Sequence, residues 1–160
     1  MSASPASICL SSAYYPPHMG GVELFTQNLA AKLRERDVSV TVVTDGVDES
    51  PAHDVLENGV EVFRLPAKDP LGRFPMLVGN GQAKELWGLL KAKDFDAVVV
   101  NARFYPLSLK MLHFAKAKGI RPVLIEHGSS YLSIGNPVVD AGIRRYEDAI
   151  APAVRTANPR

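Results

Sequence analysis

Five short runs carry much of the apolar content of the chain: SICLSS (7–12), VSVTVVTD (38–45), VEVFRL (60–65), FDAVVVN (95–101) and RPVLIEH (121–127). Each is β-branched or continuously apolar, the pattern of a strand covered on both faces and therefore of a parallel sheet. Between them, Val22, Phe25, Leu29 and Leu33 recur at three- and four-residue spacing, as do Leu86, Leu89 and Leu90, and again Leu109, Leu112 and Ala115; each set predicts an amphipathic helix. A last helical pattern, VVDAGIRRYEDAIAP (138–152), follows the fifth run. Strands alternating with helices of this length predict βαβ units: an α/β fold, Rossmann-like and doubly wound, with a mainly parallel sheet and helices on both faces. A single domain over 1–160 is expected.

Two connections exceed the usual few residues. GVDESPAHDVLENG (46–59) reads as a polar surface loop, whereas PAKDPLGRFPMLVGNG (66–81) carries Leu71, Phe74, Met76, Leu77 and Val78 and is too apolar for simple exposure. Its apolar part, 70–78, with nearby Lys68, Arg73 and Lys84, is a candidate for peripheral membrane contact. The final VRTANPR holds nothing that would make another strand, so the sheet reads as unfinished and the chain as part of something longer or naturally short of its closing strand.

Eighteen basic and seventeen acidic side chains, without runs of either sign, leave no footprint for nucleic acid. The one cysteine, Cys9, lies in the first apolar run and excludes an intramolecular disulfide or a cysteine metal cluster; it reads as a small buried hydrophobe. No stretch of about 18 apolar residues and no signal-peptide pattern is present, so a cytoplasmic location is expected. His18, His53, His113 and His127 lack zinc-ligand spacing, and no metal is expected. His53 and His113 read as surface residues, and Trp87 as packing at a helix edge.

The first run gives way within a few residues to YYPPHMGGVE (14–23) and then to a helix. A glycine-rich turn from the first strand into the first helix is where an open α/β sheet binds phosphate. Gly20 and Gly21, without Cβ atoms, can take positive φ and leave their amides bare for an anion. The sequence is neither GxGxxG nor a P-loop, and the other reading is a tight strand-to-helix turn that simply needs glycine. Glu23 reads as a first-turn carboxylate favourable to the helix dipole, and His18 as pointing into the cleft or into water.

YYPPHMGGVELFTQNLAAKLRERDVSVTVVT, with VEVFRLP (60–66), FDAVVVN and PVLIEHGSSY (122–131) in that order, resembles the opening half of the family 4 glycosyltransferases. The resemblance implies one half of a GT-B architecture: the amino-terminal, acceptor-side domain of a retaining, hexosyltransferase-type enzyme. It implies a nucleotide-diphosphate sugar as donor co-substrate, no other cofactor, and a glycan, lipid-linked or small-molecule acceptor. The donor domain, carrying the family's paired glutamates, would be a missing carboxyl-terminal partner, and this half alone would not turn over. By the same resemblance, Gly20 and Gly21 approach the donor diphosphate and His127 stands beside the transferred sugar as the catalytic candidate. Read without it, His127 is a capping residue bonded to the GSSY loop.

The chain departs from the family after the fourth run, where NARFYP stands in place of a common histidine. Asn101 and Arg103 are acceptor candidates there, arginine offering a bidentate fork to a carboxylate or phosphate, with a plain surface arginine as the other reading. Pro106 reads as a first-turn helix proline. The competing function is a non-catalytic α/β module that binds a phosphorylated small molecule or a protein partner. A reading frame that continues with the glutamate pair would favour the enzyme.

Overall fold

The computed structural model describes residues 5–128 and 130–157; Ser129 of the GSSY loop, the first four residues and the last three lie outside the described residues. The elements run β1 (Ser7–Ser11), α1 (Gly21–Arg34), β2 (Ser39–Gly46), β3 (His53–Val55), β4 (Glu61–Lys68), β5 (Met76–Leu77), α2 (Gly81–Lys91), β6 (Ala97–Asn101), α3 (Pro106–Ala117), β7 (Val123–Ile125) and α4 (Pro137–Ala157). All five apolar runs are strands of one sheet, in the order β3-β4-β2-β1-β6-β7. β4, β2, β1, β6 and β7 pair in parallel. From β1 the chain winds first toward β2 and β4 and then back to β6 and β7, so the order reverses between β1 and β6. That switch point is where a crevice opens beyond the carboxyl ends of the strands.

The two long connections are not structureless. The polar one contains β3, which runs antiparallel along β4 and satisfies part of its outer edge. His53 is exposed, as read, but lies on this strand and not in a loop, stacking on Phe63 at 4.3 Å and meeting Glu61 at 2.9 Å. The apolar connection contains β5, which pairs with Ala67 and Lys68 at the end of β4. It turns Pro75 into the protein and leaves Leu71 and Met76 exposed. The last helix runs five residues past its expected end at 152, continuing beyond Pro152 to Ala157.

Apolar side chains fill both faces of the sheet. Val43, Phe63, Leu65, Val98 and Val100 face α2 and α3 and pack with Leu86, Leu90, Met111 and Leu112. Leu10, Val40, Val42, Val60 and Val62 face α1. Cys9 is fully buried and its thiol is pushed far above the ordinary range by desolvation.

The helix α1 sits differently from its apolar stripe. Its buried row is Glu23, Thr26 and Ala30, while Phe25 is exposed and Val22, Leu29 and Leu33 flank the contact. The short side chains of Thr26 and Ala30 on that row let the helix lie close against β2, and Thr26 brings a hydroxyl to Asn101 at the end of β6. The helix dipole alone does not account for Glu23, which is 6% exposed.

Candidate active site

The crevice at the switch point is a cavity of about 280 Å³, walled on one side by the segment after β1 and the first turn of α1, and on the other by the segments after β6 and β7. Beyond Ser11 the chain stays ladder-like for two more residues, with the amides of Ser12 and Asp45 donating to Val43 and Ala13. It then turns through Pro16 and Pro17, whose peptide bond is cis, and enters α1 at Gly20.

Neither glycine uses the positive φ open to it. Gly20 is extended, with φ −157° and ψ 179°, and Gly21 is the first helical residue. Space explains them instead. A Cβ on Gly20 would come within 2.3 Å of Glu23 Oε2, because the Glu23 carboxylate folds back over the helix start. A Cβ on Gly21 would meet nothing within 4 Å, so the backbone there is open to approach.

His18 is pinned rather than free. It stacks on Tyr14 at 4.2 Å and lies 3.4 Å from the Glu23 carboxylate. The Tyr14 hydroxyl donates to Asp69, whose other oxygen accepts the Phe74 amide at 3.0 Å, so the apolar connection is tied to the wall of the cavity. Tyr14 also meets Tyr105 edge-on, and Tyr105 packs against Phe74.

His127 and Asn101 are joined, although 26 residues separate them. The parallel register places Asn101 opposite Ile125, two residues before His127. The buried Asn101 amide nitrogen donates to the Ser11 carbonyl at 3.1 Å and to Thr26 Oγ1 at 3.3 Å, and Thr26 in turn donates to the Val22 carbonyl. These bonds fix which way the amide faces, so its carbonyl oxygen is the atom 2.8 Å from His127 Nε2. Nε2 must therefore carry a proton, and in that tautomer the lone pair lies on Nδ1. Phe25 holds the ring edge-on at 4.9 Å. Asn101 thus orients a histidine, at 1% exposure, and does not present itself to a ligand.

Arg103 is engaged as well. Its guanidinium lies between Glu126, at 2.5 Å, and Glu147, at 3.6 Å. Burial raises the Glu126 carboxyl and the Arg103 charge opposes that rise. The acids of α4 staple the cavity rim: Glu147 accepts the Leu132 amide, Asp140 accepts Ser133 and Ile134, and Asp148 accepts the Tyr131 hydroxyl. Sequence reasoning gave Glu23 only its first-turn role and did not foresee its place on the cavity wall, nor the Asn101 to His127 pairing.

Ala102, directly after Asn101, has φ +60° and lines the cavity at 4% exposure. A left-handed residue other than glycine at such a point stores strain of about 1 kcal/mol. Ala102→Gly is expected to unfold at an equal or higher urea midpoint, whereas Ala102→Val, β-branched in the same conformation, is expected to lose about 2 kcal/mol. A valine variant as stable as the parent would show that the left-handed turn is not imposed.

The geometry is that of a switch-point crevice with an oriented imidazole on one wall and a helix start on the other. The family model of Glycosyltransferase Family 4 matches residues 19–157. The chain belongs to glycosyltransferase family 4. It is 28% identical over 127 residues to an uncharacterised glycosyltransferase of Methanocaldococcus jannaschii, covering 76% of this chain and 32% of that protein. An uncharacterised 42.6 kDa protein in the cps region of Klebsiella pneumoniae is 30% identical over 102 residues, 60% of this chain and 27% of the relative. A subunit of the human phosphatidylinositol N-acetylglucosaminyltransferase is 25% identical over 121 residues, 76% and 25% of the two chains. This family 4 chain therefore spans between a quarter and a third of the length of these curated relatives. Among its described residues no cluster of His, Cys, Asp and Glu is arranged to hold a metal, and no helix is long and apolar enough to cross a membrane.

Proposed function

We propose that this chain is the acceptor-side half of a retaining glycosyltransferase that moves a sugar from a nucleotide-diphosphate sugar to an acceptor hydroxyl, in a cytoplasmic setting. The observation that carries the proposal is His127, held by Asn101 with its proton on Nε2 and lining a crevice whose opposite wall is the first turn of α1. In this reading the donor diphosphate approaches the open backbone at Gly21, where helix amides favour an anion. A carboxyl-terminal domain of the parent supplies the remaining donor contacts.

The chemistry asked of this half is binding and orientation. The acceptor oxygen bonds to the anomeric carbon as the bond from that carbon to the diphosphate oxygen breaks, and the acceptor proton passes to the departing diphosphate. His127 Nδ1 accepts a hydrogen bond from a hydroxyl of the transferred sugar and holds it as charge develops. Glu23 and Glu126, both on the cavity wall, accept hydrogen bonds from acceptor hydroxyls. His18 and Arg103 act through Glu23 and Glu126, holding those carboxylates in place.

The test is nucleoside diphosphate release by the full-length parent, screened over nucleotide sugars with glycan, small-molecule and lipid-linked acceptors. The last class is included because the human relative is named for phosphatidylinositol. Acceptor-dependent release with one donor is the expected outcome. No release with any donor would leave a non-catalytic binding module.

A further inference from the structure

We propose that a second pocket, at the carboxyl ends of β2 and β4 and apart from the acceptor cavity, is a binding site for a phosphate group. It has a volume of about 300 Å³, and its lining includes Gly46, Asp48, Ser50, Arg64, Lys68 and Gln82.

Arg64 is the anomaly that points there. It is 6% exposed, and its guanidinium donates to the carbonyls of Pro51 at 2.9 Å and Pro16 at 3.4 Å. Those are dipoles, not charges, and among the described residues no carboxylate lies within ion-pair distance of it. A cation withdrawn from water without a counter-charge is costly, and buried arginines are ordinarily paired. Arg103 in the same chain shows the ordinary solution, with two glutamates beside it.

The surroundings add positive potential. The two-residue period of β4 puts Arg64, Pro66 and Lys68 on one face, and all three line the pocket. Lys68 is exposed and makes no ion pair among the described residues. The opposite wall is the start of α2, where the Asn80 side chain accepts only the Ala83 amide, leaving those of Gly81 and Gln82 without an intrahelical acceptor. Against these stands one carboxylate, Asp48, whose Oδ1 accepts the Ser50 amide at 2.8 Å. Two cations and a helix start against one acid favour a small dianion, and a guanidinium fork with an ammonium suits phosphate. Exposed Met76 is paired across from Lys68. The phosphate is therefore either that of a soluble ester or that of a lipid headgroup whose chains Met76 would meet.

Inorganic phosphate titrated into the full chain, with chloride at matched ionic strength as reference, tests the site by calorimetry and by amide shifts of Gly81 and Gln82. Arg64 holds two loops and is left unchanged. Lys68→Gln should weaken binding roughly five- to tenfold, the scale of one charge-assisted hydrogen bond, and Asp48→Asn should tighten it by a few fold. Absence of saturable binding, or binding indifferent to both substitutions, would overturn the site. Flotation with phosphatidylcholine vesicles, with and without about 20 mol% phosphatidylinositol, separates the two sources. Flotation that needs the anionic lipid and is lost in Lys68→Gln and Met76→Ser assigns the headgroup, whereas phosphate binding without flotation assigns a soluble ester. Flotation equal in parent and Lys68→Gln, with no Lys68-dependent phosphate binding, would count against both.

Discussion

Replacing His127 by alanine in the full-length parent should lower sugar transfer by about 10²- to 10³-fold, the range found when one preorganised donor or acceptor is removed from a site of developing charge. The imidazole is not a free side chain. Asn101 fixes its tautomer at 2.8 Å and Phe25 fixes its plane, so Nδ1 is aimed before any substrate arrives. Because the contact strengthens as charge develops on the transferring sugar, the loss should fall mainly on kcat, with the KM for donor changing little. Asn101→Ala should behave differently. It removes the partner of His127 and leaves the Thr26 hydroxyl and the Ser11 carbonyl short of a donor, so it should lose about 2–3 kcal/mol of stability together with part of the rate. His127→Gln, which keeps an amide dipole at the strand end, should recover part of the activity lost in His127→Ala. Steady-state kinetics beside thermal unfolding separates these cases; a folded His127→Ala enzyme within a few fold of the parent would remove His127 from the chemistry.

The five parallel strands were legible because a strand buried on both faces must be apolar throughout, and such runs have few other uses. β3 and β5 were not legible, being three and two residues long and set by the open edges of β4 rather than by their own composition. The glycines stand at the turn from β1 into α1, as read, but neither uses the positive φ open to it, and Gly20 makes room for a carboxylate three residues later. Glu23 was read only as an ordinary first-turn glutamate, and the tertiary fold shows it turned inward against His18. The pairing of Asn101 with His127 left a faint signal, since each is a polar residue closing an apolar run. The register of β6 against β7 was needed to make them neighbours. Arg103 was offered as an acceptor ligand; the acids that engage it come from β7's end and from α4, two elements distant in sequence.

Stability should fall as pH rises from about 4 to 8, and Asp45→Asn should remove that fall. Asp45, near the end of β2, is 4% exposed, and among the described residues neither carboxyl oxygen has a hydrogen-bond partner. Desolvation, with a smaller contribution from the nearby Asp69 charge, pushes its carboxyl from 3.8 up to about 8. Below the lower value both folded and unfolded chains hold the proton, and Asp45 gives no pH dependence. Between the two values the folded chain keeps a proton that the unfolded chain has released, so each unit of pH removes up to about 1.4 kcal/mol. Above about 8 the loss is complete, and a second carboxylate stands in apolar surroundings close to the Asp69 that holds Tyr14 and Phe74. Glu61, held below its usual range by Lys93 and His53 against a desolvation that acts the other way, contributes the opposite slope at acid pH. That slope is common to both proteins and cancels in the difference. Urea unfolding of parent and Asp45→Asn over this range should therefore give curves that meet near pH 4 and separate by a few kcal/mol near pH 8. Parallel curves would mean that Asp45 ionises in the folded chain, which its unpartnered oxygens make costly. Since Asp69 links the segment after β4 to Tyr14, the same titration should loosen the cavity wall, and the aromatic ring signals of Tyr14 and Tyr105 should broaden over the upper part of the same pH range.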